Sequence, residues 1–140
     1  MSPSLPLSSA PNSADDRPKK ITRKQKNDME QFAWYEDMNC AVTVCDTEGV
    51  IIYQNKPARE LYKAHGNLVG QNLFPCHNPH SQSIIRRLIE EGSTNAYTIE
   101  KRGVKKVIYQ SAWRKESGEV GGLVEFSMIV PDQMPHYVRE

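Results

Sequence analysis

Cys45-Asp46-Thr47-Glu48-Gly49-Val50-Ile51-Ile52-Tyr53-Gln54-Asn55 is the stretch on which the fold turns. An apolar run (Ala41, Val42, Val44) enters an Asp-Thr-Glu-Gly turn, and a β-rich run leaves it. Asp46 can close the turn with its own carboxylate, and Gly49 accepts the positive φ that a short hairpin loop requires. Asn55 then stands where a helix begins, with Pro57 in the first turn and Ala58, Leu61 and Tyr62 at helical spacing behind it. The expectation is a hairpin, Cys40 to Asp46 and Val50 to Gln54, feeding directly into a short helix from Lys56 to Ala64. Alternation places Val42 and Val44 on one face of the first strand, and Ile51 with Tyr53 on one face of the second.

Working outward, Gly66 ends that helix and Gly66 to Phe74 reads as a loop with apolar pegs. Asn78 caps a further helix with Pro79 at its first position. This helix presents Ile84, Ile85, Leu88 and Ile89 on one side and stops at Gly92. Glu90 and Glu91 at its end have the wrong sign for the helix dipole, so tertiary packing must hold that end. Three strands follow: Asn95 to Lys101, Val104 to Arg114 and Val120 to Val130. In the long middle strand Val107, Tyr109, Ser111 and Trp113 share one side, and Ile108, Gln110 and Ala112 share the other. In the last strand Val124, Phe126 and Met128 oppose Leu123, Glu125 and Ser127. Strands grouped around a helical middle predict an α+β fold, an antiparallel sheet with helices on one face.

At 140 residues and 38% apolar content the chain supports one domain with one core. Its first 23 residues are rich in Ser, Pro and charge, which predicts a disordered basic leader over 1–23. The net charge through Asn27 is +4, so the remainder carries −3 against a total of +1. A nucleic-acid-binding domain is normally basic over its folded surface, and that class is set aside. No apolar run is long enough for a secretory signal or a membrane span. Three cysteines without an export signal predict reduced thiols and a cytoplasmic location. Residues 24–38 predict an N-terminal amphipathic helix. Met29, Phe32 and Ala33, widened by Trp34 and Tyr35, would give it two contacts, one with the domain and one with a second copy or partner. Residues 132–140 form a tail.

With these elements in order, residues 39–131 resemble a PAS domain. The matching pieces are Asp46-x-x-Gly49-x-Ile51-x-x-x-Asn55-x-x-Ala58, then Leu68-Val69-Gly70, then two long strands with Gly118 at their turn. The resemblance implies a five-stranded antiparallel sheet cupping a pocket walled by the helix that begins near Pro79. It also implies a sensory role without catalysis: a small ligand or cofactor in the pocket, and a homodimer or partner protein that reads its state. Gly70-Gln71-Asn72 followed by Pro75-Cys76 is similar to the photoactive yellow protein family, in which a Pro-Cys at this point carries a covalent chromophore. The positions that hold the chromophore's phenolate in that family are Gln54 and Ala58 here.

Cys76-His77-x-x-His80 is the densest cluster of ligand-type side chains. Thiolate and imidazole both bind soft or borderline metals, and a helix N-terminus lowers the pKa of a nearby thiol. Cys76, His77 and His80 are therefore the candidates for haem ligation, a covalent adduct or redox sensing. Haem is the leading cofactor, because haem-binding PAS relatives take an axial histidine from this neighbourhood; polar capping is the plainer alternative. Tyr97, Tyr109 and Trp113, opposite Ile84 and Leu88, are the candidate pocket walls, with ordinary core packing as the alternative. A third alternative is an interaction module with no ligand, its pocket packed shut by Tyr109, Trp113 and Phe126. No phosphate loop, nucleophile elbow or kinase signature is present in the sequence, which predicts a protein that is not an enzyme.

Overall fold

The computed structural model describes residues 20–25 and 33–140. The leader and the stripe residues Met29 and Phe32 lie outside the described residues. At 20–25, Thr22 and Gln25 form a reciprocal capping box (Gln25 N to Thr22 Oγ1 3.1 Å, Thr22 N to Gln25 Oε1 2.9 Å), and residues 23–25 are helical. Residues 34–37, assigned above to the end of a helix, form turns instead.

The chain from Trp34 onward is one compact unit. It runs β1 (Ala41–Asp46), β2 (Ile51–Gln54), α1 (Lys56–Leu61), two 3-10 turns (Lys63–His65 and Phe74–Cys76), α2 (Pro79–Glu91), β3 (Thr94–Lys101), β4 (Val104–Arg114) and β5 (Val120–Ile129). The strands form one antiparallel sheet in the order β2-β1-β5-β4-β3, so the last strand lies at its centre. The α+β fold with a five-stranded antiparallel sheet is the one expected.

Local chemistry builds the first hairpin. Asp46 Oδ1 accepts from Glu48 N and Val50 N, each at 2.9 Å, and Gly49 sits at φ 85°. A side chain at Gly49 would also strike the Phe74 ring, which lies 2.5 Å from where its Cβ would be. The 66–74 loop runs along β2, with Ile51 N bonded to Gln71 O at 2.9 Å and Leu73 N to Gly49 O at 2.9 Å. A bulge between Val44 and Cys45 corrects the simple alternation of β2: Tyr53 pairs with Val44, whereas Ile51 pairs with Cys45 and turns inward.

Asn78 caps α2 by accepting from Ser81 N at 2.8 Å, and Gly92 closes it in the left-handed conformation at φ 65°. The dipole problem posed by Glu90 and Glu91 has a tertiary answer. The guanidinium of Arg114, from β4, lies against Gly92 at the helix C-terminus. Helix α2 buries Ile85, Leu88 and Ile89 against Cys45, Phe74 and Leu123, with Leu73, Ile84 and Val120 at the margin. At about 25 cal/mol per Å² of apolar area, burying each of these aliphatic side chains contributes about 2 kcal/mol.

Candidate functional site

The inward face of the sheet is fixed by the core: Cys45 and Leu123 point toward α2, and Ala112 pairs with Leu123. One rung further along, every strand contributes a polar residue to that face. Gln54 pairs with Thr43, Thr43 with Glu125, Glu125 with Gln110, and Gln110 with Asn95. The result is a continuous polar row across all five strands. Gln54 and Gln110 are 3% and 5% exposed, a depth at which amides persist only with partners. Gln54 Nε2 donates to Thr43 Oγ1 and Asn95 Nδ2 donates to Gln110 Oε1, both at 3.2 Å.

Glu125 is the centre of the row. Burial raises its pKa above the ordinary carboxylate value, while the nearby His77 and a hydrogen bond from Gln110 pull it back down. Desolvation raises the Tyr62 and Tyr97 phenols, and the negative charge of Glu125 raises both further. The charge of this one carboxylate is thus felt by two phenols, and His77 and Gln110 favour its ionised form.

Between α2 and the inner face of β3 and β4 lies a cavity of about 380 Å³, lined by His77, Ser81, Ile84, Ile85, Tyr97 and Gln110. That volume is within the range of small-molecule sites. His77 is held by Nδ1, which donates to Leu73 O at 2.7 Å; in the neutral ring Nε2 is then the acceptor. Gln82 steadies the same turn by donating to Phe74 O and His77 O at 2.8 and 2.9 Å. A smaller cavity of about 140 Å³, bordered by Cys40, Leu61 and Ser127, lies elsewhere on the domain.

The sequence-based candidates divide on this geometry. His77, Ile84 and Tyr97 border the cavity. Leu88, 1% exposed, belongs to the core and not to the cavity wall. Cys76 and His80 are exposed. Tyr109 and Trp113 are corrections. Both lie on the outward face, because the parity that turns Ile108, Gln110 and Ala112 toward α2 turns their neighbours away. Trp113 covers Gly121 there and donates Nε1 to Cys45 O at 3.0 Å, while Tyr109 pairs with Phe126 and is 40% exposed. These three rings therefore do not fill the pocket. Sequence reasoning missed Gln110, which lines the cavity, and its sheet neighbour Glu125. The signal was there: a charged or amide residue at an inward position of an otherwise apolar strand.

Trp34 and Tyr35, named above for an interaction face, are 59% and 39% exposed, and Ala33 is exposed. Tyr35 stacks edge-on against Tyr53 at 5.2 Å. Glu36 accepts from the Tyr53 hydroxyl and pairs with Arg59 at 2.5 Å; these two partners lower its pKa, and Glu36 in turn adds to the raised pKa of Tyr53. Arg59 Nη1 also donates to Gln54 O at 2.7 Å, so the 34–37 turn is tied to the strand that carries the first residue of the polar row.

Among the described residues, no three His, Cys, Asp or Glu side chains converge as metal ligands, and no helix is long and apolar enough to cross a membrane.

No family model matches the sequence, and no curated protein matches it. Solved structures do match. The Aer2 receptor from Vibrio cholerae, described as a dual PAS-heme oxygen sensor, superposes with a TM-score of 0.51 at 23% identity, over 67% of this chain and 96% of that one. The PAS domain of the histidine kinase ThkA superposes with a TM-score of 0.53 at 20% identity, over 65% and 99%. VqmA bound to DPO superposes with a TM-score of 0.57 at 19% identity, over 74% of this chain but only 58% of VqmA. Sheet order, the helix α2 across its inner face and these superpositions agree: residues 34–140 have a PAS-like fold.

Proposed function

We propose that this chain is a sensory PAS domain whose cavity takes a small organic ligand and whose bound state is relayed to a second copy or a partner protein. The observation that carries the reading is a cavity of about 380 Å³ that joins α2 to the inner face of the sheet and is lined by the buried Gln110 of the polar row and by His77. Gln110 is a buried amide on the cavity wall, where a ligand can use its hydrogen-bonding groups, and Ile84, Ile85 and Tyr97 provide the apolar walls that small-molecule sites share. Structural neighbours described as a haem oxygen sensor and as bound to DPO support a ligand in this fold.

The relay runs through Gln54. Its side chain belongs to the row, its carbonyl is held by Arg59, and Arg59 holds Glu36 in the turn that precedes β1. The outward face of the sheet, where Tyr109 and Met128 are 40% and 38% exposed, is the surface for a second copy or a partner. A neighbour described as a VqmA dimer supports the dimeric arrangement.

A haem reading is favoured by one observation. His77 donates Nδ1 to a backbone carbonyl and presents Nε2 toward the cavity, as metal-ligating histidines do. The exposed His80 and Cys76 are not placed for that role.

Comparison of the native and denatured intact masses, with an absorption spectrum of the freshly purified protein, tests these readings. The expected result is a colourless protein carrying a mass that denaturation releases. A strong visible band that His77→Ala abolishes would instead establish haem. A colourless protein whose two masses agree would speak for a ligand-free interaction module.

A further inference from the structure

The two edges of the sheet are treated differently. Edge strand β2 is short, and the 66–74 loop covers it: Ile51 N donates to Gln71 O at 2.9 Å and Gly70 N to Ile51 O at 2.7 Å. The opposite edge, β3, runs for 8 residues and pairs with β4 without a bulge. Among the described residues, no backbone hydrogen bond reaches its outer side. Proteins blunt an open edge with Pro, with a bulge or with charge. Thr94-Asn95-Ala96-Tyr97-Thr98-Ile99 has none of these, and Tyr97 and Ile99 are 44% and 40% exposed.

The backbone direction along β3 follows from its neighbour. Ala112 N donates to Ser93 O at 3.1 Å and Val130 N to Lys105 O at 3.0 Å, so even-numbered residues of β4 bond toward β3 and odd-numbered ones toward β5. Gln110, Ile108 and Lys106 pair with Asn95, Tyr97 and Ile99, whose amides are thereby used. The N–H and C=O groups of Ala96, Thr98 and Glu100 are left pointing away from the sheet.

We propose that β3 pairs antiparallel with β3 of a second copy, about a two-fold axis at Thr98, and joins the two sheets into one. In this register Thr98 bonds to Thr98 of the partner subunit, and Ala96 to Glu100 of the partner subunit. On the inner face Tyr97 meets Ile99 of the partner subunit, an aromatic and β-branched pair that favours strand association. Asn95 Nδ2 is committed to Gln110 Oε1, which leaves Asn95 Oδ1 to accept from Lys101 of the partner subunit. Moving the axis to Tyr97 would set Asn95 against Ile99 and lose both matches, so the side chains select one register. Tyr97 also lines the cavity, which places the seam beside the ligand site of the proposed function. The edge is distinct from the outward face named there, and its pairing does not depend on a ligand.

Sedimentation equilibrium of the full chain tests the pairing. The exposed Thr98 tolerates either charge in the monomer. Across the axis, Thr98→Lys or Thr98→Glu sets like charges against each other. The expected result is a dimer that each variant weakens at least about tenfold and that an equal mixture of the two variants restores. Met128→Lys, on the outward face, should leave the dimer unchanged. A chain that stays monomeric up to about 1 mM would overturn the proposal. A dimer that Met128→Lys breaks, or one that the mixed variants do not recover, would overturn the β3 assignment and leave the cavity reading standing.

Discussion

Asn55 is the most heavily used side chain in the domain. It is fully buried, caps α1 by accepting from Ala58 N at 3.1 Å, and accepts from Val42 N at 2.9 Å. Its Nδ2 donates to Tyr35 O at 2.8 Å and Cys40 O at 2.7 Å. Four backbone groups thus depend on one amide. Asn55→Ala is expected to destabilise the fold by roughly 2–4 kcal/mol, since it strands buried polar groups as well as removing a cap; urea denaturation measures it, and a loss below about 1 kcal/mol would contradict this role. Glu125 carries a pH signature. Its folded-state pKa is raised, so its contribution to stability is full below the ordinary value of 4.5 and is lost as pH rises through the folded value. Glu36, lowered by Arg59 and Tyr53, acts in the opposite sense: its contribution is present above 4.5 and lost as pH falls. Glu125→Gln should therefore gain stability relative to the wild type as pH rises above 4.5, and denaturation midpoints from pH 4 to 8 check the sign.

Elements made by local chemistry were legible in the sequence, and those decided across the sheet were not. The Asp46 turn, the Asn55 and Asn78 caps and the Gly92 stop each depend on residues within a few positions, and each formed as read. The inward face of β4 depends on where α2 docks, and its aromatic residues fit either side by periodicity alone. The helix won the Ile108–Gln110–Ala112 face, which sent Tyr109 and Trp113 outward and brought an unread polar row inside. The bulge at Val44 likewise reset β2 against simple alternation. Register at the sheet centre has one sharp test. A Cβ on Gly122 would fall onto the Cys45 carbonyl oxygen, the same atom that accepts from Trp113. Gly122→Ala must push β1 away from β5, and the expected loss is about 2–3 kcal/mol. Trp113 fluorescence should shift with it; an unchanged spectrum and stability would contradict the close approach.

Across the whole molecule, Gln54 and Arg59 connect the polar row with the turn at residues 34–37. Removal of residues 1–33 should leave a domain that unfolds cooperatively, because the unit from Trp34 onward contains its own core. Removal of residues 1–38 takes away Glu36 and the Tyr35 carbonyl, and should lower the thermal midpoint by several degrees, as a loss of about 1 kcal/mol does in a domain of this size. Equal midpoints for the two truncations would separate the turn from the fold and break the proposed relay.

Small molecules are expected to enter the cavity between α2 and the inner face of β3 and β4. A fragment titration of the ¹⁵N-labelled protein beside an Ile84→Trp variant, whose indole fills that space, tests it most directly. The expected result is binders whose shifts centre on Ser81, Tyr97 and Gln110 and disappear in the variant. Binders that map to the outward face around Tyr109 and Met128, and persist in Ile84→Trp, would contradict it.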